Sequence, residues 1–157
     1  MARFPESSTV SEALLYAVLR HLEKTPFTAD RFAQYALRLH ETKHTPAALL
    51  YFFDRHNRML STETLFSGLE KDPAQYCPAL PAMFAQSGAA SIGISLSFAD
   101  KKHSDENILQ LSRIVLFCEM HKIPLFEAIL VCGEDAFPLC RASGSPQFSI
   151  LHSERFR

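Results

Sequence analysis

No apolar run in this chain approaches the roughly 20 residues that a membrane-spanning helix needs. The sequence therefore gives no sign of a helical membrane protein. Charge of one sign is also missing: 16 Lys and Arg stand against 17 Asp and Glu, for a net charge of −1. A protein that grips nucleic acid through its phosphates carries a basic surplus, and this chain has none overall. Its four cysteines, Cys77, Cys118, Cys132 and Cys140, form no CxxC pair. Reduced thiols in a cytoplasmic protein are expected, not a disulfide framework. The opening MARFPESSTVSEALL has no apolar core followed by a small-residue cleavage site, so no secretory signal is expected. Internal repeats and low-complexity tracts are lacking as well.

What is present is enough apolar material for one core. Hydrophobic residues make up 47 % of 157 positions, which suits a single domain that folds without staples. Thr9 with Glu12 has the spacing of a capping box, and Val10, Leu14, Val18 and Leu22 predict a helix over 10–24. Thr28 can cap a second helix, with Phe27 and Phe32 placed as a hydrophobic staple and Phe32, Tyr35, Ala36 and Leu39 as its apolar stripe. His40 and His44 follow at its end. They read as surface residues favoured by the helix C-terminus, with a metal clip as the alternative. AALLYFFD, 47–54, reads as a buried strand, and MLSTETLFSG, 59–68, as its hairpin partner. A helix ending at Gly88 is expected after the prolines at 73, 78 and 81.

In 90–98, Ile92, Ile94, Leu96 and Phe98 alternate with Ser91, Gly93, Ser95 and Ser97. That is a strand with one apolar face. Ser104 starts the next helix, with Asp105 and Glu106 in its first turn and Ile108, Leu111, Val115 and Cys118 as its buried stripe. LFEAILVCG and AFPLCRA read as two more strands, and QFSILH as a third. The predicted class is α+β: a mixed sheet with packed helices in one domain, preceded by two extra helices.

In this order the pieces resemble a known family. LLYFFDRHNRMLSTETLFSG, with Asp54, Asn57, Arg58, Glu63, Leu65, Phe66 and Gly68, is similar to the opening hairpin of the RadC-like branch of the JAB (MPN, JAMM) metalloprotease fold. SDENILQLSRIVLFCEMHKIPLFEAILVCGEDAFPL resembles that family's C-terminal half. The resemblance spans roughly residues 28–142 and implies an α/β/α domain over 46–142, a helical segment over 1–45 and an extension over 143–157. The family's zinc motif is His-x-His, seven residues, Ser, two residues, Asp, with an upstream Glu that orients the attacking water. Two imidazoles and a carboxylate would hold zinc and leave a fourth position for water. Aligned on Ser104, the two His positions hold Ile94 and Leu96, and the Asp position holds Asn107. Only Ser104 and Glu63 match catalytic positions.

The resemblance thus implies a vacated metal site lined by Ile94, Leu96, Phe98 and Asn107, with zinc absent and no confident catalytic residue. It also implies a binding or assembly module that works with a protein partner or with copies of itself, since metal-less members of the wider fold pair with other subunits. Two alternatives stand beside it. One is a hydrolase with a relocated metal, for which His103, Asp100 and Asp105 are the nearby candidates, or with a metal-independent mechanism. The other is a DNA-repair-associated protein, after the family's label, which the net charge does not favour. The apolar groups at such a cleft call for a cover, and the tail SPQFSILHSERFR or a second subunit is expected to pack near Leu96.

Overall fold

A computed structural model describes residues 6–43, 45–68, 73–98 and 104–139. Two helices come first, α1 (Glu6–Glu23) and α2 (Ala29–Glu41), followed by a hairpin of β1 (Ala47–Phe53) and β2 (Met59–Ser67). Next come a short helical turn, α3 (Pro73–Tyr76), a 3₁₀ turn over Cys77–Ala79, and α4 (Leu80–Ser87). Strand β3 (Ser91–Phe98), helix α5 (Ser104–Met120) and a second hairpin, β4 (Leu125–Cys132) with β5 (Asp135–Pro138), complete the order. The sheet runs β2-β1-β3-β4-β5. Only β3 and β4 are parallel within it, joined through α5; the other neighbours are antiparallel. The α+β class expected from the sequence is the one found.

Both faces of the sheet are covered. On one, Ala48, Leu50, Phe52, Ile92, Ile94 and Leu96 share a core with Cys77 and Leu80 and with Ile108, Leu111 and Val115 of α5. On the other, Leu49, Tyr51 and Phe53 pack with Phe27, Phe32, Tyr35 and Ala36. This is why β1 is apolar throughout: a central strand in a three-layer arrangement has no solvent side. It is also why β3 is not the half-exposed strand its alternation suggests. Its serine-bearing face lies under α2, and Ser95 is completely buried.

Local chemistry accounts for the ends of the elements. Thr28 Oγ1 accepts from Arg31 N at 3.2 Å and caps α2, as expected. Phe27 and Phe32 each stack edge-on to Phe53, with ring centroids 5.5 Å apart, so the staple positions meet on β1. The β1–β2 turn is held by Asp54, whose carboxylate accepts from His56 N at 2.8 Å and Arg58 N at 2.9 Å. The hydrogen bond from Arg58, foremost among several causes, holds its carboxyl below the usual range. Gly88 ends α4 at φ +72°, a left-handed conformation that glycine adopts without steric cost.

Helix α1 corrects the expected stripe. It begins at Glu6, so Thr9 lies inside it and not at its cap. Leu19 and Leu22 are buried, whereas Leu14 is 64 % and Val18 42 % exposed. The expected strand QFSILH and the tail lie outside the described residues.

At Gly93 a side chain of α2 lies directly against the sheet. A Cβ there would stand 2.7 Å from Phe32 Cζ and 2.9 Å from Phe53 Cε2, both on buried rings. Gly93→Ala should therefore destabilise the fold by about 1–3 kcal/mol through overpacking. Urea unfolding checks it; an unchanged midpoint would mean that α2 does not sit against β3.

Candidate functional site

Strand β3 carries two candidate sites, one on each face. The residues singled out by the resemblance lie on the α5 side. Opposite pairs across the sheet set Glu63 on β2 beside Leu50 on β1, Leu50 beside Ile94 on β3, and Ile94 beside Ala128 on β4. Directly opposed residues share a face. Glu63 and Ile94 therefore belong to one row, two strand spacings apart. Ile94 is fully buried and Leu96 is 3 % exposed, both in the core with α5. Phe98 and Asn107 are half-buried, Glu63 is exposed, and Asn107 interacts with neighbouring groups. Ser104 is the first residue of α5. His103 and Asp100 lie outside the described residues, and Asp105 is exposed. Among the described residues, no three His, Cys, Asp or Glu side chains are grouped so that they could hold a metal ion.

The opposite face of β3 holds a polar group that the sequence reading missed. His40, in the last turn of α2, is 7 % exposed, so it is not the surface residue expected from its helix-end position. Its Nε2 lies 2.6 Å from Ser95 Oγ, and Tyr51 Oη lies 2.6 Å from the same oxygen. Three elements thus converge on one buried serine. Burial first, and the charge of Lys43 second, lower the His40 pKa from 6.5 to about 4, so the ring is neutral near pH 7. Burial also pushes the Tyr51 phenol well above its ordinary value. Two residues further on, Ser97 Oγ accepts from Ala47 N at 3.0 Å and ties β3 to the start of β1.

A serine hydrogen-bonded to an imidazole has the connectivity of a nucleophile and its base. Two observations set that chemistry aside. Ser95 has no exposure through which a substrate carbonyl could approach. The remaining ring nitrogen, His40 Nδ1, has no hydrogen-bond partner among the described residues that would orient the base.

Beside it lies a cavity of about 200 Å³. Leu37, His40 and Lys43 wall it on one side, and Ser97, Phe98 and Val131 on the other. It sits at the end of α2 and at the carboxyl ends of the parallel strands β3 and β4, where crevices form in sheets of this kind. The signal that could have revealed His40 was in the sequence. Counting from Phe32, the buried stripe of α2 runs through i+3 and i+4, and His40 is at i+8, on the same face.

Among the described residues, Cys77, Cys118 and Cys132 are buried, and burial raises the Cys118 thiol to about 12, far from the thiolate that attacks. No helix among the described residues is long and apolar enough to cross a membrane. No protein-family model matches the chain, and no curated protein is significantly similar to it.

Proposed function

We propose that this chain is a RadC-like JAB-type domain without metal hydrolysis, serving in the cytoplasm as a binding or assembly module for a protein partner or a second copy. The observation that carries the reading is the row across the α5 face of the sheet. It runs from Glu63 to Ile94, with Leu96 one step along the strand and Asn107 on the helix that covers it. The positions that would carry two imidazoles are occupied by branched apolar side chains, and both are packed into the core. An isoleucine and a leucine donate no lone pair to zinc, and a buried side chain leaves no position for an attacking water. What the hydrolytic relatives spend on metal and substrate access, this domain spends on packing.

The test is metal content together with chelation. Purified protein should contain well under one zinc per chain, and EDTA should leave its melting temperature unchanged, because a metal bound only by the folded state would raise it. One tightly bound zinc, lost on mutating His103, would replace this reading with the relocated-metal hydrolase.

A further inference from the structure

The cavity at the end of α2 is lined by His40, whose ring holds, just beneath the wall, a buried nitrogen with no partner among the described residues. The hydrogens of the Tyr51–Ser95–His40 group decide whether it donates or accepts. If Tyr51 donates to Ser95 and Ser95 donates to His40 Nε2, both short contacts are filled. The neutral ring then keeps its proton on Nδ1, and a single group, Nδ1–H, is left over. If the chain runs the other way, His40 Nε2–H donates to Ser95 and Ser95 to Tyr51. Two groups are then left over: the Tyr51 hydroxyl hydrogen, in a completely buried side chain, and the Nδ1 lone pair. If both neighbours donate to Ser95, its own hydrogen and the Nδ1 lone pair are likewise left over, and leaving fewer buried polar groups unmatched is favoured. Nδ1 is therefore a donor, with no acceptor among the described residues.

Charge at the cavity wall points the same way. Lys43 and Glu41 both line it. The Glu41 carboxylate is paired with Arg38, while the Lys43 ammonium makes no ion pair among the described residues. A cavity of about 200 Å³ thus has at its wall one cation without an ion pair among the described residues and, behind the His40 ring, one unfilled hydrogen-bond donor.

We infer that this cavity binds a small organic carboxylate, one oxygen accepting from His40 Nδ1–H and the charge offset by Lys43. His40 meets β3 at Ser95, on the face opposite Ile94 and Leu96, and the cavity touches the α5-side residues only through Phe98 at the strand end, so the inference does not depend on the reading proposed above. Nδ1 is covered from solvent. Reaching it takes a shift of the wall, and the expected affinity is weak, on the order of a millimolar.

Long-range proton–nitrogen NMR of the His40 ring tests the inference. Acetate, pyruvate and benzoate are titrated separately to tens of millimolar at constant ionic strength, with sodium chloride and pyruvamide as controls. At least one carboxylate should shift Nδ1 saturably, and neither control should. Lys43→Met, at an exposed position, should weaken that binding about 2–5-fold, the loss of one partly screened charge contact. No saturable shift with any of the three, an equal response to pyruvamide, or unchanged affinity in Lys43→Met would overturn it.

Discussion

Leu96→Asp should leave the chain largely unfolded. Leu96 is 3 % exposed and sits between Ala48 on β1 and Leu130 on β4, inside the core that α5 closes. Aspartate there removes a buried side chain worth roughly 1.5–3 kcal/mol. It also puts a carboxyl group among apolar neighbours, at a further cost of several kcal/mol. The sum approaches the 5–15 kcal/mol that holds a typical domain together. Leu96→Ala, which only empties the position, should cost about 2–5 kcal/mol and Leu96→Met less than about 1.5 kcal/mol. Circular dichroism and urea unfolding across the three variants read the order directly. If Leu96→Asp melts with the wild type, Leu96 faces solvent, the α5 face of β3 is an open cleft, and the non-catalytic reading loses its main support.

The second large effect is a loss of stability on mild acidification, and it comes from one imidazole. In the unfolded chain His40 takes up a proton near pH 6.5; in the folded protein it does so only near pH 4. Between those values the unfolded state holds the extra proton, so stability falls as pH is lowered through the window. The contribution is fully present above about pH 6.5, and below about pH 4 it has cost on the order of 3 kcal/mol. Urea unfolding at about pH 7 and pH 4 should show this loss in the wild type and in Ser95→Ala, which keeps the ring. His40→Gln should lack it, whatever its own stability at neutral pH. Parallel loss in all three proteins would mean that His40 is not held neutral and buried.

The main elements were legible because their periodicities were unambiguous. The continuous apolar run of β1 foretold a strand buried on both faces. The stripe Ile108, Leu111, Val115 and Cys118 is buried on α5 as expected. Helix α1 misled for a geometric reason. Val10, Leu14, Val18 and Leu22 are spaced by fours, and each step of four overshoots a full turn by about 40°. The set winds around the helix, and a set spaced four and then three, such as Leu15, Leu19 and Leu22, stays on one side. The polar site escaped for two other reasons. The serines of β3 look like a solvent face when that strand is read alone, yet the covered faces of β1 already required helices on both sides. His40 was judged by its suitability for a helix end, although its place on the stripe set by Phe32 puts it inward.

One consequence follows from the position of β2. It is the outer strand of the described sheet, nine residues long, with one row of backbone donors and acceptors facing away from β1. Such an edge is a template on which another chain can add a strand and start aggregation. Two irregularities break its register with β1, between Ala48 and Leu49 and between Phe52 and Phe53, and they twist the edge out of line. Glu63 stands at its middle, exposed, flanked by Thr62 and Thr64. Two copies meeting edge to edge about this point would bring like carboxylates together without a counter-ion. The residue that the family resemblance would make an orienter of water would in this position disfavour the growth of the sheet by a second copy of the same edge.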